Sequence, residues 1–131
     1  MIAVDTNVLV RLLVNDDVAQ ASKARRLFDA QAEGDAPIWV ADTVLVELVW
    51  TLARAYQRPR VDLVTALRAL AGHATVALES PRAVALAIDS YERGPADFAD
   101  CLLSAKAALA GCEAVFTVDR GMKALPGVKL L

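Results

Sequence analysis

The sequence predicts an α/β fold in which a parallel sheet is covered by helices on both faces. Three observations lead there. Short, β-branched apolar runs alternate with longer stretches whose apolar residues recur at helical spacing. The short runs lack an inward–outward alternation, which is the pattern of strands buried on both faces. The first four runs are separated by helix-length segments, as crossover connections between parallel strands require.

The first run, Ile2 to Val4, is followed by Asp5-Thr6-Asn7 and then by Val8, Leu9, Leu12 and Leu13 on one helical face. Asn15-Asp16-Asp17 offers capping side chains for a helix to about Gln31, with Leu27 and Phe28 on its apolar side. Glu33-Gly34-Asp35-Ala36-Pro37 reads as a turn. Ile38 to Ala41 is the second strand, and Asp42 or Thr43 caps a helix from about Val44 to Tyr56. Pro59 separates that helix from another at about Val61 to Ala71, and Thr75 to Leu78 is the third strand. Ser80-Pro81 places a capping residue before proline at the first helical position and opens a helix to about Glu92. Gly94-Pro95 breaks it, and Asp97 caps a helix to about Ala110 that Gly111 stops. Ala114 to Val118 and Val128 to Leu131 are the fourth and fifth strands. With no linker, low-complexity tract or repeat between them, residues 1–131 read as a single domain.

Composition narrows the function. A chain of 131 residues is long enough for one core, burying roughly two-thirds of the surface of its unfolded form. Its 56% hydrophobic and 23% charged residues exclude a disordered or collagen-like chain. Fourteen basic and sixteen acidic residues give a net charge of −2, which excludes a protein that coats nucleic acid. An enzyme touching a few phosphates is still compatible. Cys101 and Cys112 lie in apolar, helix-like surroundings and are expected as reduced core residues, too few for a disulfide scaffold or a zinc site. No stretch approaches the roughly 18 apolar residues of a membrane span. Asp5 and Arg11 interrupt the region where a signal peptide needs its apolar core, so a cytoplasmic protein away from membranes is expected. A mean hydropathy of +0.41 is high for a soluble monomer and points to apolar surface facing a partner.

The chemistry is expected at the carboxylates. Asp5 closes the first strand and Asp119 the fourth, and ligands of open parallel sheets bind beyond the carboxyl ends of the strands. If those two strands are neighbours, the two acids lie side by side; the alternative is that each merely caps the segment after it. Glu47 sits in Val44-Leu45-Val46-Glu47-Leu48-Val49-Trp50, where every other residue is apolar, so an ionised Glu is expected to need a partner or a cation. A Glu that reaches solvent, or pairs with Arg54, is the bland alternative. Asp97 and Asp100 stand three apart on one helical face, with Ser104 one turn on. Several like charges gathered at one edge need raised pKa values or a cation, and oxygen donors alone select Mg²⁺ or Mn²⁺. A single histidine, His73, offers no credible Ser–His or Cys–His nucleophile, and no Gly-rich phosphate loop is present.

Ile2-Ala3-Val4-Asp5-Thr6-Asn7-Val8-Leu9, the lone Glu47, the segment Ala96 to Leu103 and Phe116-Thr117-Val118-Asp119 together resemble PIN-domain ribonucleases. More narrowly, they resemble the VapC-type toxins of type II toxin–antitoxin pairs, over essentially the whole length. The resemblance implies a three-layer α/β/α sandwich with a parallel sheet of about five strands. It implies that Asp5, Glu47, Asp100 and Asp119 coordinate one or two Mg²⁺ or Mn²⁺ ions, with Asp97 accessory and Thr6, Asn7 and Thr117 orienting the acids or the attacking water. It further implies an endoribonuclease acting on RNA, inhibited by a cognate antitoxin protein, and a homodimer that forms a heterotetramer or larger assembly with it. Arg11, Arg54, Arg58, Arg60 and Arg120 are the main candidates for RNA phosphate contacts, with Lys23, Arg25 and Arg26 behind them. Two rival classes are a different metal-dependent phosphohydrolase and a non-catalytic PIN-like RNA-binding module. A haloacid-dehalogenase-type site is disfavoured by Asn7 where a second Asp is needed, and a non-catalytic module by the retention of all four acids.

Overall fold

Strand β1 (Ile2–Ala3) runs into helix α1 (Thr6–Leu13), followed by α2 (Val18–Glu33), β2 (Ile38–Val40), α3 (Asp42–Arg54), α4 (Arg60–Ala71) and β3 (Val76–Leu78) in the computed structural model, which describes all of residues 1–131. The chain then continues with α5 (Pro81–Arg93), α6 (Phe98–Leu109), β4 (Val115–Thr117), a 3-10 turn (Arg120–Met122) and β5 (Val128–Leu130). Residues 1–79 and 80–131 form two compact units.

In the first unit the strands lie in the order β1-β2-β3, all parallel, with Ile2 beside Ile38 and Ile38 beside Val76. Central β2 is the most protected: Ile38 and Val40 are fully buried. The helices supply most of the remaining core through Leu9, Phe28, Leu45, Leu48, Leu63 and Leu67. Two expected caps form, Asp5 accepting from Val8 N–H at 3.2 Å and Asp17 from Gln20 N–H at 3.0 Å. Helix α3 departs from expectation. Ala41 occupies its cap position without a side-chain bond, and Asp42 is the first helical residue, buried, its N–H donating to Glu79 Oε1 at 2.9 Å. An acid from beyond β3 therefore satisfies an orphan donor and complements the positive end of the helix dipole. Helix α3 ends at Arg54, short of Tyr56, and Gln57 just beyond adopts a left-handed conformation with φ +52°.

In the second unit α5 packs on α6 through Val84, Ala87, Ile88, Tyr91, Phe98, Cys101 and Leu102. Phe98 meets Tyr91 edge-on, ring centroids 5.8 Å apart. Pro81 starts α5 and Gly111, at φ +85°, follows α6, both as the sequence signals, but Ser80 holds the cap position of α5 without a side-chain capping bond. Strands β4 and β5 are parallel, with Val115 beside Val128 and Thr117 beside Leu130. Their connection makes its crossover with a 3-10 turn instead of a helix. Cys101 is core, as expected, but Cys112 is exposed, because it lies beyond the glycine that ends α6.

The architecture is α/β with five strands, every pair parallel, as the sequence predicts. The ladders, however, join them as a set of three and a set of two. With strands only two or three residues long, each ladder contributes few hydrogen bonds, and helix packing carries most of the burial.

Candidate active site

Within residues 1–79 the carboxyl edge of the parallel sheet is acidic. Asp5 follows β1, Asp42 heads α3 directly after β2, and Glu79 follows β3. Asp5 is exposed, and one of its oxygens is committed to the Val8 N–H, so the bland capping reading is realised without occupying the second oxygen. Thr6 is buried next to it, and Asn7 is exposed in the first turn of α1. Glu47 corrects an expectation: it is exposed, not enclosed by its apolar neighbours. Thr43, Glu47, Trp50 and Arg54 form a solvent-facing stripe along α3, on which Trp50 is 61% exposed. Burial cost therefore does not single Glu47 out, and the nearby Arg54 makes no ion pair with it.

Within residues 80–131 three acids share one electrostatic locus. Asp100, in the first turn of α6, has its carboxyl pKa raised, first by partial burial and then by the negative charges of Asp97 and Asp119. Asp97 holds the cap position of α6 but makes no side-chain capping bond, so its carboxylate is not consumed by the helix end. Asp119 is held from both sides. Its N–H donates to Thr117 Oγ1 at 2.9 Å, and its Oδ1 accepts from Gly121 N–H at 2.8 Å. Thr117 thus shapes the backbone at Asp119. Ser104, on the same helical face as Asp97 and Asp100, is taken up elsewhere: its buried hydroxyl donates to the Pro126 carbonyl at 2.6 Å.

Gly121 was not legible as a site residue, although Asp-x-Gly after a strand is a turn signal. Its backbone is outside the left-handed region, so conformation does not demand glycine; the carboxylate does. A Cβ there would stand 3.1 Å from Asp119 Oδ1.

The cations divide by what they touch. Arg11 pairs with Asp16 at 3.0 Å and bonds Gln20, and Tyr56 donates to Asp16 at 3.1 Å. It therefore ties α1 to the start of α2 and to the segment after α3. Arg26 bonds Ser22 on its own helix. Arg54, Arg58 and Arg120 are exposed, as are Lys23 and Arg25, while Arg60 is half-buried at the start of α4. His73 is structural: its ring meets Phe28 edge-on, and Nδ1 accepts from Thr75 N–H.

No trio of His, Cys, Asp or Glu side chains already stands as a metal-binding array. The donor chemistry still fits a hard cation. The negative charges of Asp97 and Asp119 oppose that of Asp100, and carboxylate oxygens without nitrogen or sulfur donors suit Mg²⁺ or Mn²⁺. No helix is long and apolar enough to cross a membrane.

The chain is 26% identical over 121 residues to a VapC ribonuclease of Aquifex aeolicus (strain VF5), covering 92% of this chain and 89% of that protein. The family model of the PIN domain matches residues 2–128, spanning both units. The chain belongs to the PIN-domain family.

Proposed function

We propose that this protein is a Mg²⁺- or Mn²⁺-dependent endoribonuclease toxin that hydrolyses RNA phosphodiester bonds and is inhibited by a cognate antitoxin. Asp5, Glu47, Asp100 and Asp119 would hold the ion, with Asp97, Thr6, Asn7 and Thr117 in accessory roles. The observation that carries the reading is the crowding of Asp97, Asp100 and Asp119 in a chain of the PIN family. The similarity to a VapC ribonuclease supports the toxin assignment. In keeping with that class, the protein acts in the cytoplasm as a single domain, and as a homodimer that assembles with its antitoxin.

When bound, the ion would activate a water and offset charge developing on the phosphate. The protein's own part is positional. Asp5 and Asp119 each fix one carboxylate oxygen on a backbone N–H and leave the other without a hydrogen bond. Thr117 holds the turn that presents Asp119. With His73 engaged structurally, attack falls to water and no covalent enzyme intermediate is required.

The direct test incubates the purified chain with single-stranded RNA and Mg²⁺ or Mn²⁺. Cleavage is expected to stop in EDTA and to return with either ion. Undiminished cutting in chelator would overturn the metal dependence, and RNA binding without cutting under any condition would point to a non-catalytic module. A second expected result concerns Gly121. Gly121→Val should crowd the Asp119 carboxylate and lower cleavage by about tenfold or more, the scale of losing an outer support of a metal ligand. Its melting temperature should hold, because Gly121 is exposed. Wild-type cleavage by this variant would show that the carboxylate has room to move.

A further inference from the structure

Within residues 80–131 a cleft of about 210 Å³ lies between the end of α5 and the loop that leads to β5. One wall is Ser90, Arg93, Gly94, Pro95 and Ala96; the other runs from Gly121 through Ala124 and Leu125 to Pro126. Each wall adjoins a turn that carries an acid. Ala96 immediately precedes Asp97, and Gly121 donates the hydrogen bond that holds Asp119. The walls are preformed: Ala96 and Leu125 are buried, and Ser104 fixes the Pro126 carbonyl. Arg93 is the one charged residue lining the cleft, is exposed, and makes no ion pair.

We propose that this cleft is a subsite for a ribonucleotide flanking the cut, in which Arg93 meets the backbone phosphate and the Gly94–Ala96 and Gly121–Pro126 walls receive the ribose or base. The inference rests on the ribonuclease reading and adds a contact absent from the basic residues singled out in the sequence. Charge favours RNA as the occupant. A polyanion approaching Asp97, Asp100 and Asp119 is repelled unless a cation stands beside them, and Arg93 supplies one at the rim. Size agrees as well. The cleft is smaller than the roughly 300–1,000 Å³ of a drug-sized pocket, so it admits a sugar or a base and not a partner's helix.

Labelled single-stranded RNA is titrated in Mg²⁺ with protein carrying Asp5→Asn to suppress cleavage, over a series of KCl concentrations. Adding Arg93→Ala should weaken binding about five- to tenfold and lower the slope of log Kd against log[KCl] by about 0.7, the value for one phosphate contact on a single strand. Arg93→Lys should restore the slope. Ala124→Trp, which fills the cleft, should weaken binding with the slope unchanged. Mn²⁺ affinity, read by water-proton relaxation, should be the same in all of them. Unchanged RNA affinity and slope in Arg93→Ala would overturn the subsite while a cutting parent chain kept the ribonuclease reading. A parent chain that neither binds nor cuts RNA would overturn both.

Discussion

Asp100→Asn is expected to lower RNA cleavage by more than about a hundredfold, beyond the 10–100-fold that follows loss of an outer support. The same substitution is expected to stabilise the metal-free protein at neutral pH. Asparagine keeps the shape and one acceptor oxygen but removes the charge that Asp97 and Asp119 oppose. The pH dependence has a definite sign. Because folding raises the Asp100 pKa above its ordinary value of 3.8, the native state holds the proton more tightly than the unfolded chain does. The favourable contribution is fully present below the unfolded pKa and is lost as pH rises through the raised folded value. The stability advantage of Asp100→Asn over wild type should therefore be smallest in acid, grow across that window and level off above it. Urea unfolding in EDTA at a series of pH values measures it. A variant less stable than wild type at pH 7, or retaining cleavage, would show that Asp100 is a structural residue at the start of α6. Asp5 is a poorer place to seek this relief, since its carboxylate caps α1 and its removal would mix two effects.

Phe98→Ala is expected to cost about 3–5 kcal/mol of stability, the range for emptying a buried aromatic site. Phe98 is only 2% exposed, begins α6 and packs edge-on against Tyr91 of α5. Its removal takes away both core volume and the contact joining the two helices of the second unit. Against the roughly 5–15 kcal/mol of a typical domain, that is a large fraction. It should appear as a fall of roughly 10–20 °C in melting temperature. Phe98 stands between Asp97 and Asp100, so cleavage should fall even at temperatures where the variant stays folded. Phe116→Ala is the matched control: that ring is 63% exposed, and its loss should change stability by less than about 0.5 kcal/mol. A similar small loss from both would contradict the packing assigned to α6.

Most of the secondary structure was readable because its signals are local. Asp17 before Val18, Pro81 at the first position of α5 and Gly111 after α6 act within one turn of chain, so a short window contains both the residue and its effect. The five parallel strands followed from runs too uniformly apolar for a half-exposed sheet. At the candidate site, the Thr117–Asp119 bond spans only two residues. Gly121 is equally local, but a glycine there looks like any turn residue until the carboxylate is placed beside it.

The rest depended on partners distant in sequence. Nothing near Asp42 announces that Glu79 will cap α3, nor anything near Ser104 that its hydroxyl belongs to Pro126. Arg11 reads as a free cation until Asp16, Gln20 and Tyr56 are seen around it. The apolar flanks of Glu47 suggest burial, yet α3 turns that side chain and Trp50 outward. Residue order thus carries hydrophobic period, caps and turn chemistry, which are short-range properties of the backbone. Which acid crowds which, and which polar groups are already consumed, is a matter of distances through space. Those arise only when α6 and the turn after β4 fold together, so the raised pKa of Asp100 belongs to the folded chain and to no segment of it.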